Sequence, residues 1–119
     1  MQWPADIFAA FFKALDVDPI PGSSKEEVIQ YLLDETARRA VWRAKADPCQ
    51  LEAAYKAPYT PLGSVSVDGM VTTGLKANSM TIKPEWNEAV DRLYAFVTEN
   101  SQLVCDQFKD QQVVYCDEV

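Results

Sequence analysis

The chain of 119 residues contains no histidine. That absence excludes Ser-His-Asp and Cys-His nucleophilic systems, HExxH zinc sites and the usual imidazole pH switch. Any chemistry must use carboxylates, tyrosine, lysine, cysteine or backbone groups. Cysteine is sparse and odd in number. Cys49, Cys105 and Cys116 show no CxxC spacing, which argues against both a disulfide framework and a structural zinc site. Glycine is scarcer than usual, and each of the four (Gly22, Gly63, Gly69, Gly74) falls where a turn is expected, so no glycine-rich phosphate loop exists. No apolar run approaches the ~20 residues of a membrane span. The N-terminal "MQWPADIF" lacks a basic n-region and is interrupted by Asp6, so a cytoplasmic protein without signal peptide or membrane contact is expected.

What is present describes one soluble globular domain over residues 1–119, with 48% hydrophobic and 24% charged residues. The net charge is −7 and is unevenly spread. Residues 84–119 hold eight acidic and two basic side chains, whereas residues 1–83 hold ten and nine. An acidic C-terminal third repels phosphate backbones, which argues against nucleic-acid binding, and it attracts a basic surface.

Local pattern predicts an α+β domain. In "IFAAFFKAL" the side chains of Ile7, Phe8, Phe11, Phe12 and Leu15 fall within about 140° of arc on a helix, and Pro4 and Asp6 suit its start. "DVDPIPG" reads as the interhelical turn that stops it. "SSKEE" sets Ser24 three residues before Glu27, a capping-box spacing, ahead of a long helix that runs to Asp47-Pro48. "CQLEAAYKA" reads as a short third helix. "SVSVDGMVTT" reads as a hairpin turning at Asp68-Gly69, and "SMTIK" as a third strand of a small antiparallel β-meander, with Met80 and Ile82 inward. An amphipathic helix follows from Pro84, closed by Asn100. "SQLVCDQFKD" fits a short helix or an irregular strand, and "QQVVYC" a terminal strand.

Most apparent sites dissolve on inspection. Asp16 and Asp18 begin a calcium-loop spacing, but Ile20 and Pro21 occupy positions that need an oxygen ligand and a glycine, so no metal is expected. "TARRAVWRAK" gathers Arg38, Arg39, Arg43 and Lys45 about Trp42, a pattern read here as a solvated face with local ion pairs. Cys105 and Cys116 have the spacing to pair only if their segments lie side by side.

No cofactor and no catalytic residue are expected. The functional expectation is a small acidic interaction protein, a regulator, inhibitor or immunity-type binder. Its basic protein partner would be engaged by Glu85, Glu88, Asp91 and Glu99, with Asp106 and Asp110 beyond them. The alternative is a dimeric ligand-binding or enzymatic domain with a pocket between sheet and helices. That pocket would draw its polar groups from Tyr55, Tyr59, Tyr94, Tyr115, Asp68, Thr72 and Thr73. The phenylalanines of the first helix serve the core first, and Phe8, Phe11 and Phe12 are the expected contacts of a homodimer or of a larger assembly.

Overall fold

The computed structural model describes residues 2–56 and 77–111. Its described part is an α+β arrangement, mostly helical. Five helices and two strands follow in the order α1 (Ala5–Ala14), β1 (Leu15–Pro19), α2 (Lys25–Arg43), α3 (Pro48–Lys56), β2 (Ala77–Ile82), α4 (Trp86–Glu99) and α5 (Ser101–Phe108). The expected hairpin at Asp68-Gly69 lies outside the described residues, as does all of the expected terminal strand except Gln111.

Helix α1 starts on Pro4, whose carbonyl accepts from Phe8 N at 3.0 Å, and Asp6 in the first turn complements the helix dipole. It ends earlier than its apolar spacing suggests. Leu15 is extended, and the chain passes directly into β1, so the expected interhelical turn begins with a strand. The reason is visible in Leu15-Asp16-Val17-Asp18, which alternates apolar and acidic residues at the strand period. Leu15 is buried, Val17 half-buried, and the two aspartates face water. β1 pairs antiparallel with β2, Leu15 opposite Ile82 and Val17 opposite Met80, with an irregularity at Pro19, which has no N–H to give. Met80 is fully buried and Ile82 half-buried, as the alternation of "SMTIK" requires; the partner of that strand is β1.

The true turn is tighter. Ser23 N donates to Ile20 O at 3.0 Å, with Pro21 and Gly22 between them, and Gly22 has φ +90. This is a type II β-turn, in which proline sets the first central residue and the second needs positive φ.

Ser24 then caps α2, its hydroxyl accepting from Glu27 N at 3.2 Å. Helix α2 touches α1, α3, α5 and β1, and so it buries more than one stripe: Ile29, Leu33, Ala37 and Ala40 have essentially no exposure. Crowding also withdraws charge from water. Glu35 and Arg39 are 6% and 8% exposed, and Glu35 pairs with Arg38 one turn on. The expected solvated face is therefore corrected at Arg39, because neighbours pack on that side of the helix.

At its end, Lys45 N donates to Trp42 O and Ala46 N to Val41 O, a Schellman arrangement. Lys45 stands where glycine is usual, with φ 57, and Ala46 after it also has positive φ, at 59. The Cys105 thiol of α5 donates to Ala46 O at 2.8 Å, and Trp42 Nε1 donates to Gln111 O at 2.6 Å, so α5 is fastened along the C-terminal end of α2. Asp47 opens α3 by accepting from Cys49 N at 3.0 Å.

Helix α4 buries Ala89, Leu93 and Val97, one residue per turn. Among the described residues, three tilted or edge-on aromatic pairs hold it: Trp86 on Phe11 at 5.2 Å, Tyr94 on Tyr55 at 5.7 Å, and Phe96 on Trp3 at 5.6 Å between centroids. Such pairs contribute about 0.5–1.5 kcal/mol each beyond area burial. Asn100 ends α4 with both its backbone and side-chain nitrogens on Phe96 O and starts α5. The segment read as helix or strand is thus helix, with Val104, Cys105 and Phe108 inward and Leu103 left 53% exposed.

Candidate functional site

The buried stripe of α4 divides its surface into two flanks. On one flank, facing α1, lies a cleft of about 310 Å³. Its floor is made of alanines, Ala9 and Ala10 from α1 and Ala89 from α4, which is why the helices leave a channel there. Charged side chains rim it: Asp6, Glu85 and Glu88 against Lys13 and Arg92. Arg92 spans the cleft, with Nη1 3.6 Å from Asp6 Oδ2 and Nη2 3.2 Å from Glu88 Oε1. All three of these side chains are roughly half or more exposed, so each bridge is worth only about 0–1 kcal/mol and is easily exchanged.

Glu85 differs from its neighbours. It is half-buried at the start of α4, and its Oε2 is shut off from water with no hydrogen-bond partner among the described residues. A buried carboxylate oxygen without a donor costs about 1–3 kcal/mol or more, a cost that an incoming cationic donor removes. The cleft therefore combines an apolar floor that suits an aliphatic stem with a carboxylate at its edge, one oxygen of which lacks a donor among the described residues.

The structure brings together two of the six acidic residues singled out from sequence, Glu85 and Glu88. Asp91 is exposed farther round α4, close enough to Tyr94 to help burial push that phenol above its ordinary 10.0. Glu99 is exposed at the end of α4. Asp106 belongs to α5, where it accepts from Gln102 at 2.8 Å and lies 3.8 Å from Lys109; Asp110 is exposed just beyond. None of these four lines the cleft. Sequence reading missed Asp6, Lys13 and Arg92, whose place at the cleft depends on α1 packing against α4. The one available hint was the run of small residues at Ala9-Ala10, which makes close helix approach feasible.

Among the expected dimer residues, Phe11 is 2% exposed and packed in the core. Phe8 and Phe12 are half-buried, their rings 6.3 Å apart, with Lys25 Nζ 4.0 Å over Phe12. Cys105 is a buried free thiol, raised above its ordinary 9.0 by burial and then by Asp106, whereas Cys49 is exposed; Cys116 lies outside the described residues. Of the polar groups expected to furnish a ligand pocket, Tyr55 and Tyr94 are described and touch each other, and the remainder lie outside the described residues.

No described helix is long and apolar enough to cross a membrane. Neither a protein-family model, nor a curated protein, nor a solved structure matches the chain.

Proposed function

We propose that the protein is a small acidic binder that takes a lysine or arginine side chain of a basic protein into the cleft between α1 and α4. The observation that carries this reading is Glu85 Oε2, sequestered with no donor among the described residues beside an alanine floor. The partner's aliphatic stem lies over Ala9, Ala10 and Ala89, and its charged head donates to Glu85 and displaces Arg92 from Glu88. The net charge of −7 steers the encounter, and Asp91, Glu99, Asp106 and Asp110 contribute to that field rather than to the contact. Regulation or inhibition of the partner follows from occupying its basic surface. Phe8 and Phe12 remain what α1 offers to a second copy, a reading that light scattering at high concentration tests.

The binding reading is tested by capture from an extract of the source organism, with wild type and the Glu88→Lys variant compared at low and high salt. Glu88 is exposed, so its reversal leaves the fold intact. A basic protein retained by wild type, released by salt and lost with Glu88→Lys supports the reading. Equal retention by both proteins refutes it.

A further inference from the structure

The other flank of α4 encloses a second and less open cavity, about 220 Å³ in volume, between α4, α1 and α2. Phe11 and Leu93 form its base, at 2% and 1% exposure. Trp86, Val90 and Tyr94 wall it at four-residue steps along α4, with Asn87 exposed at the margin. Thr36 of α2 also lines it, and its hydroxyl proton is already committed to Leu32 O at 2.7 Å.

Two properties set what fits. The first is charge. None of the described lining residues is ionised near neutral pH, and the Tyr94 phenol is held protonated by burial and by Asp91. An ion entering the cavity would lose hydration with no counter-charge among these residues to replace it. The second is shape. Trp86 is braced edge-on by Phe11 and Tyr94 by Tyr55, both through buried rings, so the aromatic walls are positioned before any ligand arrives. An apolar cavity of ~150 Å³ is enough to hold benzene. This one has room for a fused bicycle, and the Asn87 amide and the Tyr94 hydroxyl supply hydrogen bonds for one polar edge.

We propose that this cavity is a binding site for a small, uncharged, planar aromatic molecule of about ten non-hydrogen atoms with a single polar edge. The site shares no described residue with the acidic cleft and stands or falls independently of it.

Indole is the probe: bicyclic, neutral and carrying one N–H. It is titrated into the full-length isotope-labelled chain and followed by NMR. Saturable shifts at the Trp86 indole, the Asn87 amide and the Tyr94 backbone are expected, with a dissociation constant below about 1 mM. Val90→Phe fills the cavity from a half-buried position and weakens binding at least tenfold. Intermolecular NOEs from indole to the methyl groups of Val90 and Leu93 in the wild-type chain give a readout that does not depend on how the variant folds. Absence of saturable shifts, NOEs confined to methyl groups elsewhere, or equal affinity in a folded Val90→Phe overturns the proposal.

Discussion

Trp3 and Asp34 make the most exacting test of the packing. Trp3 is 4% exposed, and its indole Nε1 donates to Asp34 Oδ1 at 2.9 Å across 31 residues of chain, so the residues ahead of α1 are tied to the middle of α2. Gln30 Nε2 donates to the same oxygen at 3.0 Å. Replacing Asp34 by alanine removes a charged acceptor and strands a buried N–H. Bonds to charged groups are worth about 1.5–3 kcal/mol, and a stranded donor costs about 1–3 kcal/mol, the two figures describing one loss. Asp34→Ala is expected to destabilise by about 2 kcal/mol. Trp3→Phe removes the donor and trims the ring that packs on Phe96, at roughly 1–2 kcal/mol. In the double variant no N–H is stranded, so the combined loss falls short of the sum by about 1 kcal/mol. Gln30→Ala, which leaves the buried indole satisfied, shifts stability by under about 0.5 kcal/mol. Urea unfolding reads all four, a 2 kcal/mol loss lowering the midpoint by about 1 M. A neutral Asp34→Ala, or strict additivity of the pair, would refute the claim that this bond is buried and necessary.

Other expectations rest on equally local features. Gly22 has φ +90 and no described atom within 4 Å of where a Cβ would stand, so Gly22→Ala costs about 1 kcal/mol through backbone strain, read by the same unfolding assay. Lys45 holds φ 57 at the end of α2, and Lys45→Gly raises stability by about 0.5–1 kcal/mol. The folded chain keeps the Cys105 proton above the ordinary 9.0 and those of Tyr31 and Tyr94 above 10.0, all chiefly through burial. The native state then binds more protons than the unfolded chain at alkaline pH. This contribution to stability is complete below about pH 9 and is lost as pH rises through the folded values, and Cys105→Ala blunts the first part of that decline.

Much of the helical framework was legible. Ser24 and Asn100 mark helix ends by side-chain chemistry that acts within a few residues, and the apolar periods of α2 and α4 report which sides face inward. Strand β1 was hidden by its own punctuation. Pro19, Pro21 and Gly22 read as a loop, although Leu15-Asp16-Val17-Asp18 carries the alternation, and its partner β2 lies some sixty residues away. Pairing over that distance leaves no local trace. The same limit applies to the burial of Glu35 and Arg39: helical spacing shows an apolar face, but not how many neighbours surround the helix. The acidic residues were found by counting charge, which cannot say that Glu85 and Glu88 share a cleft with Asp6 while Asp106 and Asp110 do not. That grouping is made by the crossing of α1 and α4, and the alanines that permit it are unremarkable until the helices meet.

Whether the alanine-floored cleft takes a basic side chain is decided by titrating the labelled chain with an end-blocked Ala-Arg-Ala peptide at low salt. Saturable NMR shifts concentrated at Ala9, Ala10 and Ala89 and at the Arg92 guanidinium are expected, and Glu88→Lys abolishes them. Shifts spread evenly over Glu99, Asp106 and Asp110, with the cleft silent, would contradict the binding reading.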